Sequence, residues 1–208
     1  MKIEKCPMCK SEGTSFYKDI FYECNTCEGL FRPKSKLPSY QEEKERYLKH
    51  QNDPEDEGYQ DFVKPLTDLL IANQTAEHIG LDFGAGNGSA VHKQLSDNGF
   101  VVKQYDPIYY DNPDLLNNKY DYIYACEVIE HFHHPFEEFS RLFNMLNTGG
   151  RLYCKTNIYT NDVDFDNWYY KNDFTHVFIY KNRTFQWIAS NFNPSEMTIN
   201  NNIIQFKK

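Results

Sequence analysis

One segment of the 208-residue chain, Ile79–Ser89, constrains its fold and its ligand more than any other. It reads Ile-Gly-Leu-Asp-Phe-Gly-Ala-Gly-Asn-Gly-Ser, so an apolar stretch ends in an acid and three glycines follow at alternate positions. Such a pattern predicts a buried parallel strand followed by a tight turn, whose bare backbone can approach a ligand closely. The segment therefore predicts a strand–turn–helix unit that binds a nucleoside-type ligand at the turn.

The glycine spacing and two nearby acids distinguish between ligands of this type. A dinucleotide site follows the pattern G-x-G-x-x-G, whereas Gly84, Gly86 and Gly88 alternate. The carboxylate of Asp82, two residues before the first glycine, would repel a pyrophosphate and attract a cation. S-adenosylmethionine (SAM) carries a sulfonium and an amino group, and Asp106 lies where a ribose-binding acid is expected. These features favour SAM, with a glycine-rich turn of another α/β domain as the alternative.

Four segments together resemble the class I SAM-dependent methyltransferases. Ile79–Ser89 resembles their first motif, and Gln104–Pro107 resembles the second. Tyr122–His131 is similar to their fourth strand and the loop after it, and Gly149–Thr156 to the next turn and fifth strand. The resemblance extends from Tyr59 to the C-terminus. It implies a SAM site made by Asp82, Gly84, Ala85, Gly86, Gly88, Asp106, Pro107, Cys126 and Glu127.

Strands and helices are predicted to alternate through this region, which indicates a doubly wound α/β sheet. Strands are expected at 76–83, 100–105, 120–126 and 150–156, helices at 89–98, 135–146 and 184–191, and a closing hairpin at 197–200 and 203–207. The resemblance implies a mostly parallel, seven-stranded Rossmann-like sheet. We expect three parts: a zinc ribbon and linker (1–38), a helical cap or connector (39–75), and a SAM-binding methyltransferase domain (76–208).

The ribbon is predicted from two C-x-x-C pairs, Cys6/Cys9 and Cys24/Cys27, which are separated by 14 residues. Two such pairs supply four thiolates to one tetrahedral ion, which leaves no open position for catalysis. The segment is too short to fold on apolar burial alone, so metal binding would supply its folding energy. We therefore expect a structural zinc ion; a redox dithiol or unrelated thiols are the alternatives.

Candidate catalytic groups follow the predicted fourth strand or lie in a later aromatic segment. Methyl transfer requires alignment of the reactants and, where the acceptor carries a proton, a base. His131 is the preferred base because it matches the loop after the fourth strand, and His176 and Asp173 come next. A metal site formed with His133 and His134 is disfavoured, because adjacent side chains project in different directions on most backbones.

Aromatic residues supply candidates for substrate and cofactor contacts. Trp168 and Tyr170 lie in a dense aromatic segment and are predicted to wall an acceptor pocket, although a packed loop interior would use the same residues. Tyr47 and His50 belong to a charged helical segment, 40–50, which in the resembling family covers the cofactor. They are candidates for the methionine end of SAM; a solvated surface helix is the alternative.

Composition restricts the partners and the cellular setting. The net charge of −8 and the lack of a Lys/Arg cluster argue against general nucleic-acid binding. Without an apolar run of about 18 residues, no membrane span is predicted. The N-terminus lacks the apolar region of a signal peptide, so we expect a cytoplasmic protein with reduced cysteines. No pattern indicates an oligomeric state.

The sequence thus predicts a SAM-dependent methyltransferase that acts on a small-molecule or sugar-like acceptor and carries a structural zinc ribbon. The alternatives are a non-catalytic SAM-binding or zinc-ribbon interaction module, and an RNA methyltransferase guided by the ribbon. A nicotinamide dehydrogenase is disfavoured by the glycine spacing and Asp82. The acid that usually follows the third strand has no counterpart near Leu115–Lys119, so adenine recognition is unassigned.

Overall fold

The computed structural model describes residues 2–49 and 52–208, so His50, a predicted SAM contact, lies outside the described residues. Within these ranges the chain forms strands and α-helices in a mixed order. The strands are β1 (Ile3–Lys5), β2 (Glu12–Tyr17), β3 (Phe21–Cys24), β4 (Leu30–Phe31), β5 (Ile79–Phe83), β6 (Val101–Tyr105), β7 (Tyr120–Cys126), β8 (Leu146–Lys155), β9 (Phe178–Ile179), β10 (Glu196–Asn200) and β11 (Ile203–Lys207). The helices are α1 (Tyr40–Tyr47), α2 (Glu57–Asn73), α3 (Ala90–Asp97), α4 (Pro135–Met145) and α5 (Asn182–Phe192).

Six strands form the main sheet, in the order β10-β11-β8-β7-β5-β6. Neighbouring strands are parallel from β6 through β5 and β7 to β8, whereas β11 pairs antiparallel with both β8 and β10. The predicted α/β class is confirmed, with a mixed sheet. Because the chain leaves β5 towards β6 on one side and later returns to β7 on the other, a crevice forms at the carboxyl ends of these strands.

The predicted count of seven strands is not confirmed, because the described residues place six in this sheet. Between β6 and β7 the chain forms a short 3₁₀ helix, Pro113–Asn117, where the resemblance implies a third strand. Pro113 cannot donate a ladder hydrogen bond, and the surrounding Asp and Asn residues favour turns over strands. β6 is therefore an edge strand. This also explains why the acid expected after a third strand has no counterpart.

Helices cover both faces of the main sheet. On one face α2 and α3 pack against the sheet, and Val63, Leu66 and Val91 contact the buried rings of Tyr122 and Tyr124. On the other face α4 and α5 enclose a second apolar cluster. In the described ranges, no helix has both the length and the apolar character required to cross a membrane.

Residues 2–38, which we call the N-terminal module, form an antiparallel sheet with a strand from much later in the chain. The order of this sheet is β1-β2-β3-β4-β9. Leu30 pairs with Ile179, and Phe31 pairs with Phe178. The module is therefore joined to the C-terminal half by a continuous backbone hydrogen-bond ladder.

The aromatic segment before β9 packs against this module. The Phe165 ring centroid lies 5.0 Å from that of Phe16 and 5.6 Å from that of Phe21, and both partners belong to the module. Tyr159 and Trp168 extend the same cluster, with ring centroids 5.7 Å apart. Much of the aromatic density noted in the sequence is therefore used in packing the module onto the rest of the chain.

Candidate active site

A cavity of about 640 Å³ opens at the carboxyl ends of β5, β6 and β7. This volume lies within the range of about 300–1,000 Å³ that is typical of small-ligand sites. The predicted site residues that line it are Tyr47, Asp82, Gly84, Ala85, Gly86, Asp106, Pro107, Cys126, Glu127, His131 and His176. Gly88, Trp168, Tyr170 and Asp173 lie outside the lining.

The loop after β5 can approach a ligand because its glycines adopt backbone conformations that other residues resist. Gly84 has φ of +80°, and a Cβ atom there would lie 2.6 Å from Val128 Cγ2. The amides of Gly84 and Ala85 donate to the carbonyl oxygen of Tyr105 at 2.8 and 3.1 Å, which fastens the loop to the end of β6. The glycine loop is thus fixed in place by its own hydrogen bonds.

Asp106 braces the same loop from the end of β6. Its Oδ2 accepts from the amide of Gly86 at 3.0 Å, and its Oδ1 accepts from the amides of Ile108 and Tyr109 at 2.8 and 3.0 Å. A carboxylate offers about four acceptor positions. These contacts leave capacity on Oδ2 for a ligand hydroxyl, as a ribose would supply.

Gly88 lies directly beneath the chain at Asn52 and Pro54, which covers part of the cavity. A Cβ atom at this position would lie 2.4 Å from the carbonyl oxygen of Asn52 and 3.1 Å from Pro54 Cδ. The small residue therefore allows the segment between α1 and α2 to cross over the glycine loop. The third glycine of the motif has a steric role that its spacing alone did not identify.

Asp82 carries a buried carboxylate at the end of β5. Its side chain is 2% exposed, and Oδ2 has no hydrogen-bond partner among the described residues. Burial raises the pKa of this carboxyl to about 7. A cationic group of a ligand would both satisfy Oδ2 and favour the ionised form.

Two further acids follow β7 in a strained loop. Glu127 has φ of +54°, and its Oε1 accepts from Lys155 Nζ at 3.2 Å. Burial, together with the charge of Glu130, raises the pKa of Glu127 to about 7. Glu130 is fully buried; its Oε2 accepts from the Thr156 hydroxyl at 2.9 Å, and its Oε1 has no partner among the described residues. Glu130 was not among the predicted site residues, because sequence spacing does not show which side chain faces the cavity.

His131 and His176 lie together beside this loop, with ring centroids 4.9 Å apart. Nδ1 of His131 lies 2.9 Å from the carbonyl oxygen of Thr175, and Nδ1 of His176 lies 2.7 Å from that of Tyr170. A carbonyl only accepts, so each Nδ1 carries the proton, and a neutral ring keeps its lone pair on Nε2. Burial lowers the pKa of both rings, that of His176 to about 4. Both imidazoles are therefore neutral near pH 7.

Asp173, the third predicted catalytic residue, acts as a clamp in this structure. Its Oδ2 accepts from Arg46 Nη2 at 2.7 Å, and its Oδ1 accepts from the hydroxyl and amide of Thr175 at 2.7 and 3.0 Å. Although burial alone would raise it, the hydrogen bonds from Thr175 hold the pKa of Asp173 at about 2. A carboxylate with so low a pKa accepts a proton poorly near pH 7.

The two predicted acceptor-wall residues lie behind the histidines. The Tyr170 ring centroid is 4.0 Å from that of His176, and the Tyr170 hydroxyl lies 2.9 Å from Thr156 Oγ1. Trp168 packs at 5.1 Å from Tyr170 within the aromatic cluster of the module. Both residues pack behind the histidines and neither lines the cavity, so the predicted direct contact with an acceptor is not supported.

Helix α1 forms part of the cavity wall and is held by contacts that sequence reasoning did not identify. Ser39 and Glu42 cap its N-terminus reciprocally. Glu43 Oε1 lies 2.8 Å from His133 Nε2, and the ring of Tyr47 meets His131 edge-on at 5.4 Å. With the Arg46 ion pair, these contacts hold α1 over the histidines. The cap has a local signature, Ser39-x-x-Glu42, but the contacts with His133, His131 and Asp173 join residues that are distant in the chain and leave no local pattern.

The four N-terminal cysteines converge, as their spacing predicted. Their sulfur atoms all lie within 4.8 Å of one another. Cys6 Sγ is 3.7 Å from Cys27 Sγ, and Cys9 Sγ is 3.2 Å from Cys24 Sγ. Thiolates about 2.3 Å from a tetrahedral zinc ion lie about 3.8 Å apart, so this set fits such an ion.

Arg32 connects the module to the catalytic half of the chain. Its Nε donates to the carbonyl oxygen of His176 at 3.0 Å, and its Nη2 donates to those of Lys171 and Asp173 at 3.2 and 3.3 Å. The guanidinium also lies 4.6 Å from the centroid of the Phe21 ring. The module thus holds the segment that carries one of the two cavity histidines.

Comparisons with known proteins agree with this fold. An O-methyltransferase family protein from Burkholderia thailandensis is similar with a TM-score of 0.55 and 11% identity, over 84% of this chain and 64% of that one. The mitomycin 7-O-methyltransferase is similar with a TM-score of 0.52 and 10% identity, over 70% of this chain and 52% of that one. The chain thus spans less than two thirds of either structure. At such low identities the similarity shows the fold alone.

The family is shown by sequence. A family model described as a methyltransferase domain matches residues 43–193, more than half of the chain. Among curated proteins no significant match is found. The chain therefore belongs to this methyltransferase family, in agreement with the resemblance seen in the sequence.

The Arg32 contacts lead to a testable expectation. In Arg32→Ala the carbonyls of residues 171–176 lose a charged donor, which is worth about 1.5–3 kcal/mol per site. We expect at least about tenfold faster hydrogen–deuterium exchange in 171–179, measured by mass spectrometry. Arg183→Ala, which removes an exposed arginine on α5, is the matched control. Equal exchange in the two variants would contradict the role assigned to Arg32.

Proposed function

We propose that this protein transfers the methyl group of SAM to a small-molecule or sugar-like acceptor in the cavity. The observation that carries the proposal is the unpartnered Oδ2 of Asp82 beneath the glycine loop, because this buried atom suits a cationic ligand. The matched family supports the same donor. The alternative, a non-catalytic module, would bind SAM without transferring its methyl group, so detection of a methylated product distinguishes the two.

The residues at the ends of β5 and β6 fit SAM. Asp82 would pair with a cationic group of the ligand, and Asp106 would accept from a ribose hydroxyl. Gly84 and Gly86 let the ligand lie against the backbone. The end of β7 and the residue after it, Cys126 and Glu127, would close the site on the methionine side. SAM supplies an activated methyl group, so the protein has to provide alignment and proton removal.

The two histidines mark the acceptor side in this proposal. His131 follows β7, and His176, from the segment before β9, packs beside it. Asp82 lies near the end of β5 and Asp106 follows β6, and β5 lies between β6 and β7 in the sheet. His131 Nε2 is the preferred site of proton transfer from the acceptor, because the lowered pKa of His176, about 4, makes it a weak base. Asp173 is not part of this proposal, since it clamps α1.

The charge around the cavity supports a small acceptor in preference to a nucleic acid. Asp82, Asp106, Glu127 and Glu130 all face it, and the chain has a net charge of −8. A phosphate backbone would be repelled by this arrangement. The O-methyltransferases among the structural neighbours support oxygen as the methylated atom. An RNA acceptor guided by the module is therefore the weaker alternative.

We also propose that the four cysteines hold a structural zinc ion. All four ligand positions would be filled by protein, so this ion would stabilise the module and take no part in the reaction. Through β4 and Arg32 it would also support the position of His176. None of the six cysteines, all of which lie in the described ranges, forms a disulfide; this suits a reducing compartment and supports the proposal of a cytoplasmic location.

Turnover is tested by incubating the full chain with labelled SAM and a cell metabolite extract. We expect a labelled small molecule and the demethylated donor to form together. Saturable SAM binding without any labelled product would favour the non-catalytic module. Absence of SAM binding by calorimetry would overturn the proposal.

The pKa of Asp82 gives an expectation for donor binding. Since a cationic ligand needs the ionised carboxylate and the pKa is about 7 without ligand, binding must expel a proton below pH 7. The Kd for SAM should therefore rise roughly tenfold per pH unit between pH 6.5 and 5.5, as measured by calorimetry. Asp82→Asn should bind roughly 10–100-fold more weakly at pH 7.5 and lose this dependence. A variant that keeps the full pH dependence would contradict the assignment.

The zinc proposal predicts one ion per chain in the cysteine set. Cys24→Ser removes one thiolate, so we expect elemental analysis to show loss of this ion and thermal unfolding to occur at a lower temperature. Cys154→Ser is the control, because Cys154 lies in the core of the main sheet and should leave the metal content unchanged. Retention of the ion in Cys24→Ser would sink the proposal.

A further inference from the structure

A second group of metal-ligating side chains lies at the cavity, well apart in sequence from the cysteines. Glu130, His131 and His176 each offer one ligand atom, and these atoms lie within 4.8 Å of one another. All three residues line the cavity. We propose that they bind a divalent first-row transition-metal ion, which would contact the methyl acceptor. The binding of the ion stands by itself, whereas its use in the reaction rests on the proposed function.

The histidine rings are oriented as metal ligands usually are. Each Nδ1–H donates to a backbone carbonyl, of Thr175 for His131 and of Tyr170 for His176. This fixes the tautomer and leaves the lone pair of Nε2 free on each ring. Metal-bound histidines almost always have their second nitrogen anchored in this way.

Glu130 provides an independent indication. It is fully buried, and the hydroxyl of Thr156 holds its Oε2 at 2.9 Å while Tyr170 lies 2.9 Å beyond that hydroxyl. Its Oε1 has no hydrogen-bond partner among the described residues. Buried polar atoms are nearly always partnered, so an orphaned oxygen beside two imidazoles calls for a ligand. A cation held by all three side chains would supply it.

The surrounding charges favour a cation at this position. Glu127 adds a second acid in the same loop. The basic side chain of Lys155, at the end of β8, is engaged with Glu127 Oε1 at 3.2 Å and with the Phe62 ring at 3.2 Å from its centroid. Arg32 approaches from the module but is directed to backbone carbonyls, including that of His176. The triad itself therefore keeps its ligand atoms available.

The donor set indicates the class of ion. Two imidazoles and one carboxylate suit zinc, manganese, iron or cobalt, whereas four thiolates select the softer end of this series. Three protein ligands leave at least one coordination position for water or for an oxygen of the acceptor. The triad therefore differs from the cysteine set in two ways: its ligand atoms are harder, and it leaves a coordination position free.

This site would narrow the acceptor class to molecules that present a hydroxyl oxygen to the ion. Coordination lowers the pKa of a bound O–H group, so its proton would leave to solvent before transfer. An oxygen lone pair would then form the new C–O bond as the S–C bond breaks, and the S–C electron pair would stay on sulfur. His131 and His176 would act here as ligands in place of proton acceptors.

Manganese is the probe of choice, because it prefers nitrogen and oxygen ligands and competes poorly for a four-thiolate site. The full chain, with its cysteine set loaded with zinc, is titrated with Mn²⁺ and followed by electron paramagnetic resonance. We expect one bound Mn²⁺ per chain. Glu130→Gln, His131→Ala and His176→Ala should each bind it at least about 100-fold more weakly, because the histidine substitutions remove a ligand and Glu130→Gln removes the charge of one.

His134→Ala is the matched control, since this exposed histidine belongs to the same loop but not to the triad. It should bind Mn²⁺ as the unchanged protein does. Retained SAM binding by calorimetry shows that each triad variant is folded. Equal Mn²⁺ affinity in the unchanged protein and in the His131→Ala/His176→Ala double variant would overturn the inference.

Different experimental results would contradict the metal site and the proposed function. Methyl transfer that needs no added ion, in a protein that binds no Mn²⁺, would overturn the metal site and leave the histidines as bases. Binding of Mn²⁺ that the triad substitutions abolish, in a protein without SAM binding, would support the metal site and overturn the methyltransferase proposal.

Discussion

Buried negative charge is the constraint around which the cavity is organised. Asp82 and Glu130 are buried near the carboxyl ends of strands and Glu127 is partly buried there, and burial raises the pKa of each. Burying a carboxylate is costly unless a partner compensates it. Lys155 compensates Glu127, whereas Asp82 and Glu130 each keep an oxygen without a partner among the described residues. The two cations proposed above, one within SAM and one a metal ion, answer the same physical requirement at two neighbouring positions.

The N-terminal module is part of the architecture that holds these groups. A small cysteine-rich segment could have been tethered only by its linker, but β4 and β9 join it to the rest of the chain through backbone hydrogen bonds. Arg32 and the aromatic cluster around Phe165 add side-chain contacts to the same segment. The position of His176 therefore depends on a part of the chain that begins more than a hundred residues earlier. Through such coupling, the proposed zinc ion would influence the geometry of the cavity from a distance.

The sequence predicted those features that contiguous residues encode. Ile79–Ser89 contains strand, turn and helix start in one segment, so its fold and its ligand class were both accessible. The 3₁₀ helix in place of the expected third strand was not predicted. The resemblance implies the sheet that is typical of the family, whereas Pro113 and its polar neighbours favour a turn at this position of this chain. The contacts of Arg32 and the burial of Glu130 were not predicted, because they depend on tertiary partners, which leave no local pattern. At Trp168, the many aromatic residues in the sequence could not distinguish the wall of an acceptor pocket from a packed loop interior, because both use the same residue types.

The contact between Gly88 and the chain at Asn52 has a consequence for how the glycine motif is interpreted. A motif of this kind is usually interpreted as evidence about the ligand. Its third glycine here is instead required by the chain that crosses above the loop. A larger residue at that position would clash with the carbonyl oxygen of Asn52, so the crossing chain and the loop could not keep their present separation. Variation at position 88 among related chains would therefore report on the architecture of the cover, and only variation at the first two glycines would report on the donor.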